Sequence, residues 1–149
     1  MPREAQPELQ LRIIVDHPVP DVLLRLQRGK NELHEPTSTS PAQVIFDFSV
    51  RVGPPRLGGA PNFLGPFTQG PPDARFVYVN VGRRAGQRGT TWDQRAKVPL
   101  TGITATQVKT VLASPRSRLE AHMPGRGANG EPTCATVRLV PGAWRLARG

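Results

Sequence analysis

Val44-Ile45-Phe46-Asp47-Phe48-Ser49-Val50-Arg51-Val52 decides the fold class. Val44, Phe46, Phe48, Val50 and Val52 recur at every second position, and Asp47, Ser49 and Arg51 share the other side with Ile45. Successive side chains of a strand point to opposite faces, so the alternation predicts one face in a core and one in water.

The flanking segments extend that reading. Leu9-Gln10-Leu11-Arg12-Ile13-Ile14-Val15 alternates and then becomes wholly apolar, as a strand does on passing from a half-exposed edge into a core, and Asp16-His17-Pro18-Val19-Pro20-Asp21 ends it. Val22 to Gln27 is the next strand candidate, stopped by Arg28-Gly29-Lys30-Asn31, and residues 31–43 read as a surface loop. Beyond the central strand, residues 53–74 are dense in Gly and Pro and far exceed the usual connection of ~4–6 residues. Such a length predicts an ordered, functional loop. Arg75 to Val81 has apolar groups on both faces, which predicts a central strand. Trp92 to Leu100 follows with Ala96, Val98 and Leu100 inward, Arg95 and Lys97 outward, and Pro99 at an end or edge.

One helix is signalled. Thr104 and Gln107 have the spacing of a capping box, Ile103 and Val108 can staple it, and Ser114-Pro115 stops it, which predicts a helix over 105–113. Arg118 to Met123, Thr133 to Val140 and Ala143 to Ala147 read as three last strands. The expected fold is all-β and mainly antiparallel, a sandwich or barrel of seven or eight strands with one short α-helix.

Composition agrees with one domain. Of 149 residues, 36 are Leu, Ile, Val or Phe, about a quarter, above the ~20% below which a charged chain stays unfolded. Residues 1–8 are polar and read as a flexible lead, and 9–149 as a single β-rich domain. No stretch approaches the ~20 apolar residues of a membrane helix, and Met1-Pro2-Arg3-Glu4 does not lead into a signal-peptide core. With a lone Cys134, which can form neither an internal disulfide nor a thiolate zinc site, the expectation is a cytoplasmic protein without membrane contact, metal or cofactor.

Seven of the eight aromatic residues lie between Phe46 and Trp92. Phe63 and Phe67 stand in the Gly/Pro-rich stretch where strand periodicity does not require them. A rigid aromatic loop beside a strand bearing Tyr78 and Asn80 has the makings of a small-molecule pocket, an apolar wall with a few placed polar groups. The plainer reading is that both rings fold the loop down onto an open sheet face. The candidate ligand-binding residues are Phe63, Phe67, Gln69, Arg75, Tyr78, Asn80, Trp92, Asp93 and Arg95, and Arg75 and Lys97 could receive an acidic ligand.

The net charge is +9, and 17 of the 20 basic residues are Arg. Arg suits bidentate contact with phosphates and carboxylates, and Arg83, Arg84, Arg88 and Lys97 form a candidate anion-binding patch. An Arg-rich solvated surface is also what a GC-rich genome imposes. His17, His34 and His122 lack metal-ligand spacing, Cys134 has no base near it, and the glycines fit neither a P-loop nor a dinucleotide fingerprint.

Pro61-Asn62-Phe63-Leu64-Gly65-Pro66-Phe67-x-Gln69-Gly70-Pro71-Pro72-x-x-Arg75-Phe76-Val77-Tyr78 and Trp92-Asp93-x-Arg95-Ala96-Lys97-Val98-Pro99-Leu100-x-Gly102-Ile103-Thr104 resemble motifs of a family of small bacterial proteins, catalogued as a domain of unknown function, over most of residues 9–146. The resemblance implies an actinobacteria-rich membership and no established reaction, so it assigns no catalytic residues. Three functional readings remain. The first is a small-molecule-binding β-domain, its pocket between the 61–75 loop and the strands 75–81 and 92–100. The second is a cyclase- or isomerase-type enzyme on the same cavity, with Tyr78, Asp93 or Arg95 polarising a substrate. The third is a nucleic-acid or anionic-partner module using Arg83, Arg84, Arg88, Arg95 and Lys97.

Overall fold

A computed structural model describes residues 7–19, 22–28, 32–53, 61–64, 76–84, 89–100, 102–125 and 144–148. Among them ten strands and one helix are arranged as a six-stranded and a four-stranded sheet, neither closed into a barrel.

The six-stranded sheet is built on β5 (Gln43–Gly53), the strand with the clearest alternation. Val44, Phe46, Phe48 and Val50 are buried and Asp47 is exposed, as the period of two requires. β1 (Glu8–Asp16) runs antiparallel along one edge and sets Ile13 opposite Phe46 and Leu11 opposite Phe48, so apolar side chains meet across the strands. The other edge carries β4 (Ser38–Thr39) at one end and β6 (Asn62–Leu64) at the other. β9 (Ser117–Pro124) lies parallel to β1, placing Leu119, Ala121 and Met123 beside Leu11, Ile13 and Val15, and β10 (Arg145–Arg148) pairs antiparallel with β9.

The four-stranded sheet is antiparallel throughout, in the order β3 (Glu32–His34), β2 (Val22–Arg28), β7 (Phe76–Arg84) and β8 (Thr90–Pro99). Leu24, Leu26, Val77, Val79, Val81, Ala96 and Val98 face inward and share one continuous core with the inner residues of the larger sheet. The Arg28 guanidinium on β2 donates to the Ser49 carbonyl of β5, tying the two sheets together. Burial draws the Arg28 pKa below its ordinary value, opposed in part by Glu32.

The helix α1 (Ala105–Leu112) caps the core with Val108 and Val111. Both halves of its capping box form: Gln107 N donates to Thr104 Oγ1 at 3.1 Å and Thr104 N to Gln107 Oε1 at 2.9 Å. Gln107 Nε2 also donates to the Trp144 carbonyl at 2.7 Å, and the Trp144 indole N–H to the Pro99 carbonyl at 2.9 Å. The helix start, the approach to β10 and the end of β8 are thereby joined.

The all-β, mainly antiparallel expectation holds, the described strands form two sheets and no closed barrel, and three details differ. Residues 31–43, expected as a loop, hold β3 and β4, and the 53–74 stretch holds β6. These strands of two or three residues are too short to show a period. The strand count therefore rises, and the expected strand Thr133–Val140 lies outside the described residues. The first strand begins at Glu8, and Val52 N bonds the Pro7 carbonyl, so Pro7 and Glu8 of the segment expected as a lead take part in the larger sheet.

Candidate functional site

The two sheets present outer faces of opposite character. On the six-stranded sheet several described charges are matched. Arg12 holds Asp47 through two bonds of 2.6 and 3.1 Å and reaches Glu120 at 3.8 Å, Arg118 meets Glu120 at 2.7 Å, and His122 Nδ1 meets Asp16 at 2.8 Å. The Asp47 partnership raises the Arg12 pKa further. This face is a structural ladder of alternating charge.

The outer face of the four-stranded sheet is different. Register sets Gln27, Tyr78 and Lys97 in one row, Arg25, Asn80 and Arg95 in the next, and Leu23, Gly82 and Trp92 in a third. Among the described residues, Arg25 and Lys97 have no carboxylate partner. They rest on aromatic rings: Arg25 Cζ lies 3.9 Å from the centroid of the Trp92 ring, and Lys97 Nζ 3.8 Å from that of Phe76. A shift of register between Val81 and Gly82 brings Trp92 opposite Gly82, and Gly82 has no side chain to separate the indole on β8 from Arg25 on β2.

Asn80 sits at the centre. It is 4% exposed and donates through Nδ2 to Gln27 Oε1 at 2.9 Å. Its Oδ1 and the Nε of Arg25 are buried, and among the described residues neither has a hydrogen-bond partner. Each such orphan costs about 1–3 kcal/mol, the desolvation that a bond would have offset. Arg25 and Asn80 are register partners on adjacent strands, so the residues that carry the unpaired donor and the unpaired acceptor are neighbours on this face.

The structure thus gathers Tyr78, Asn80, Trp92 and Lys97 of the sequence-derived candidates onto one sheet, with Arg25 and Gln27 added. Arg25 and Gln27 carried a signal, the polar positions in the alternation 22–27, but only the pairing of β2 with β7 shows what they face. Asp93 and Arg95 lie on β8, and Arg83 and Arg84 at the end of β7, with their backbone alone described. Phe67, Gln69, Arg75 and Arg88 lie outside the described residues, as does the proposed cavity wall at 65–75. Phe63 stands on β6 opposite Val52, is 8% exposed, and belongs to the core. It does not face Tyr78, because Tyr78 alternates with the buried Val77 and Val79 and points away from that core.

Among the described residues no group of three or more His, Cys, Asp and Glu side chains could hold a metal ion, and no helix is long and apolar enough to cross a membrane. A family model described as a family of unknown function, DUF5990, matches residues 9–147. No curated protein and no solved structure matches the chain.

Proposed function

The chain belongs to the DUF5990 family of unknown function, and we propose that it is a small-molecule-binding β-domain whose ligand is acidic and sits on the outer face of the β3-β2-β7-β8 sheet. The observation that carries this reading is the half-buried Arg25 guanidinium. Among the described residues it has no counter-ion, its Nε lacks an acceptor, and its flat side rests on Trp92. A cation so held is oriented without being neutralised, and a ligand carboxylate or phosphate supplies what is missing. Lys97, exposed on β8, adds a second positive charge across Asn80 and Tyr78, and Leu33, 49% exposed on β3, extends the face with an apolar rim.

Thermal unfolding of the chain with a panel of small carboxylates and phosphates, each beside its neutral amide or ester, tests the reading. A binder at about 100 times its Kd stabilises by ~2.7 kcal/mol, which such a scan resolves. The anions should raise the midpoint, their neutral analogues should not, and Arg25→Met should remove the effect. Equal shifts with neutral analogues, or shifts that survive Arg25→Met, would contradict it. Titration with single- and double-stranded nucleic acid is the competing arm. Tight binding that falls steeply with salt would favour a nucleic-acid module instead.

A further inference from the structure

We infer that the ligand of this face carries a carboxylate with a hydroxyl on the neighbouring carbon, the carboxylate received by Arg25 and the hydroxyl donating to Asn80 Oδ1. The inference rests on the small-molecule reading above and narrows it to a chemical class.

The argument is one of donors and acceptors. Arg25 and Asn80 stand directly opposite on antiparallel strands, where side chains begin ~5 Å apart, a separation that an acid with a polar group on the next carbon can bridge. Arg25 Nε is a donor that lacks an acceptor, and Asn80 Oδ1 an acceptor that lacks a donor. A bare carboxylate has only acceptor oxygens and satisfies the first while turning lone pairs toward the second. An ammonium, as in an amino acid, would satisfy the second but would bring positive charge beside Arg25 and Lys97, on a face with no described carboxylate. A hydroxyl next to the carboxylate donates without adding charge. Asn80 Nδ2 is engaged with Gln27 Oε1 at 2.9 Å, which leaves Oδ1 as the open position. Both orphaned atoms are buried, and Arg25 is long enough to swing aside while the sheet stays as it is. The Trp92 ring next to Arg25 favours a planar or apolar substituent on the acid.

The probes are mandelate, phenylacetate, which lacks only the hydroxyl, and mandelamide, which lacks the charge. Their affinities for the full chain are measured by calorimetric or NMR titration. Mandelate should bind about tenfold tighter than phenylacetate to the wild type, since one well-made hydrogen bond in a dry site is worth roughly that factor. In Asn80→Leu the two acids should come within about twofold, and mandelamide should bind neither protein measurably. The comparison of acids on the wild type needs no variant, so it stands even if Asn80→Leu does not fold. Equal binding of mandelate and phenylacetate to the wild type overturns the hydroxy-acid inference and leaves the anion site in place. Discrimination that persists in a folded Asn80→Leu also overturns it. Failure of both acids to bind overturns the small-molecule reading beneath it.

Discussion

Arg25 and Trp92 meet across a strand that separates them: Arg25 lies on β2, Trp92 on β8, and Gly82 of the intervening β7 leaves the gap through which the guanidinium reaches 3.9 Å from the ring centroid. A cation–π contact of this kind is worth about 0.5–1 kcal/mol near a surface. The orphaned Nε costs about 1–3 kcal/mol. Arg25→Met keeps most of the stem and removes both terms, so chemical denaturation should show a stability unchanged or raised by up to about 2 kcal/mol. A loss above about 3 kcal/mol would mean that Arg25 is a structural keystone and not a residue kept for a ligand.

Gly82→Leu should place a side chain between Leu23 and Trp92 and close that gap. Trp92 is half-buried and Trp144 is 2% exposed, so a change in acrylamide quenching reports mainly on Trp92. Quenching should rise in Gly82→Leu as the indole is lifted off Arg25. Unchanged quenching would show that the indole does not need the missing side chain.

Phe48→Ala should cost about 3–5 kcal/mol, the range for a large aromatic removed from a packed core. Phe48 is 5% exposed and stands opposite Leu11 in the inner layer. A melt unchanged by this substitution would remove the register of β5.

Much of the fold was legible because burial writes itself into a long strand. The alternation of 44–52 gives the face and nearly the bounds of β5, and Thr104 with Gln107 gives the start of α1. The pairing of β1 with β9 and of β2 with β7 was not legible, since register is a relation between distant segments that neither segment states alone. The candidate site divides along the same line. Tyr78, Asn80, Trp92 and Lys97 could be suspected from residue type, whereas Arg25 became a candidate only once β2 lay beside β7. For Phe63 both a pocket wall and a packed ring stay open in the sequence, because a three-residue strand between glycines and prolines has no period to display.

Gly125→Ala should destabilise strongly for a steric reason. A Cβ at this position would lie 2.7 Å from Pro18 Cα and 2.9 Å from the carbonyl oxygens of Asp16 and His17, all of them backbone atoms. The same junction holds Gly125 N on the Asp16 carbonyl at 2.7 Å and His17 in the left-handed region at φ 52°. Overpacking of this kind costs about 1–3 kcal/mol, so the melting midpoint should drop by several degrees. A midpoint equal to the wild type would show that the junction yields.

Thr104→Ala should cost about 1 kcal/mol through loss of the cap on α1. Gln107→Ala should cost more than a capping residue alone, because Gln107 also holds the Trp144 carbonyl. If the two variants unfold at the same denaturant concentration, the link between α1 and Trp144 contributes nothing.

The most direct test of an anion site on the four-stranded sheet is a nitrogen–proton correlation spectrum of the full chain, recorded as phenylacetate is added. The Arg25 Nε–H and Trp92 indole N–H signals should move together and saturate, the Trp144 indole signal should stay, and phenylacetamide should move none of them. If the Arg25 Nε–H signal stays fixed while backbone signals of β1, β5 or β9 shift, or if the neutral amide reproduces the carboxylate's effect, the ligand is not held by Arg25 and the proposed site is wrong.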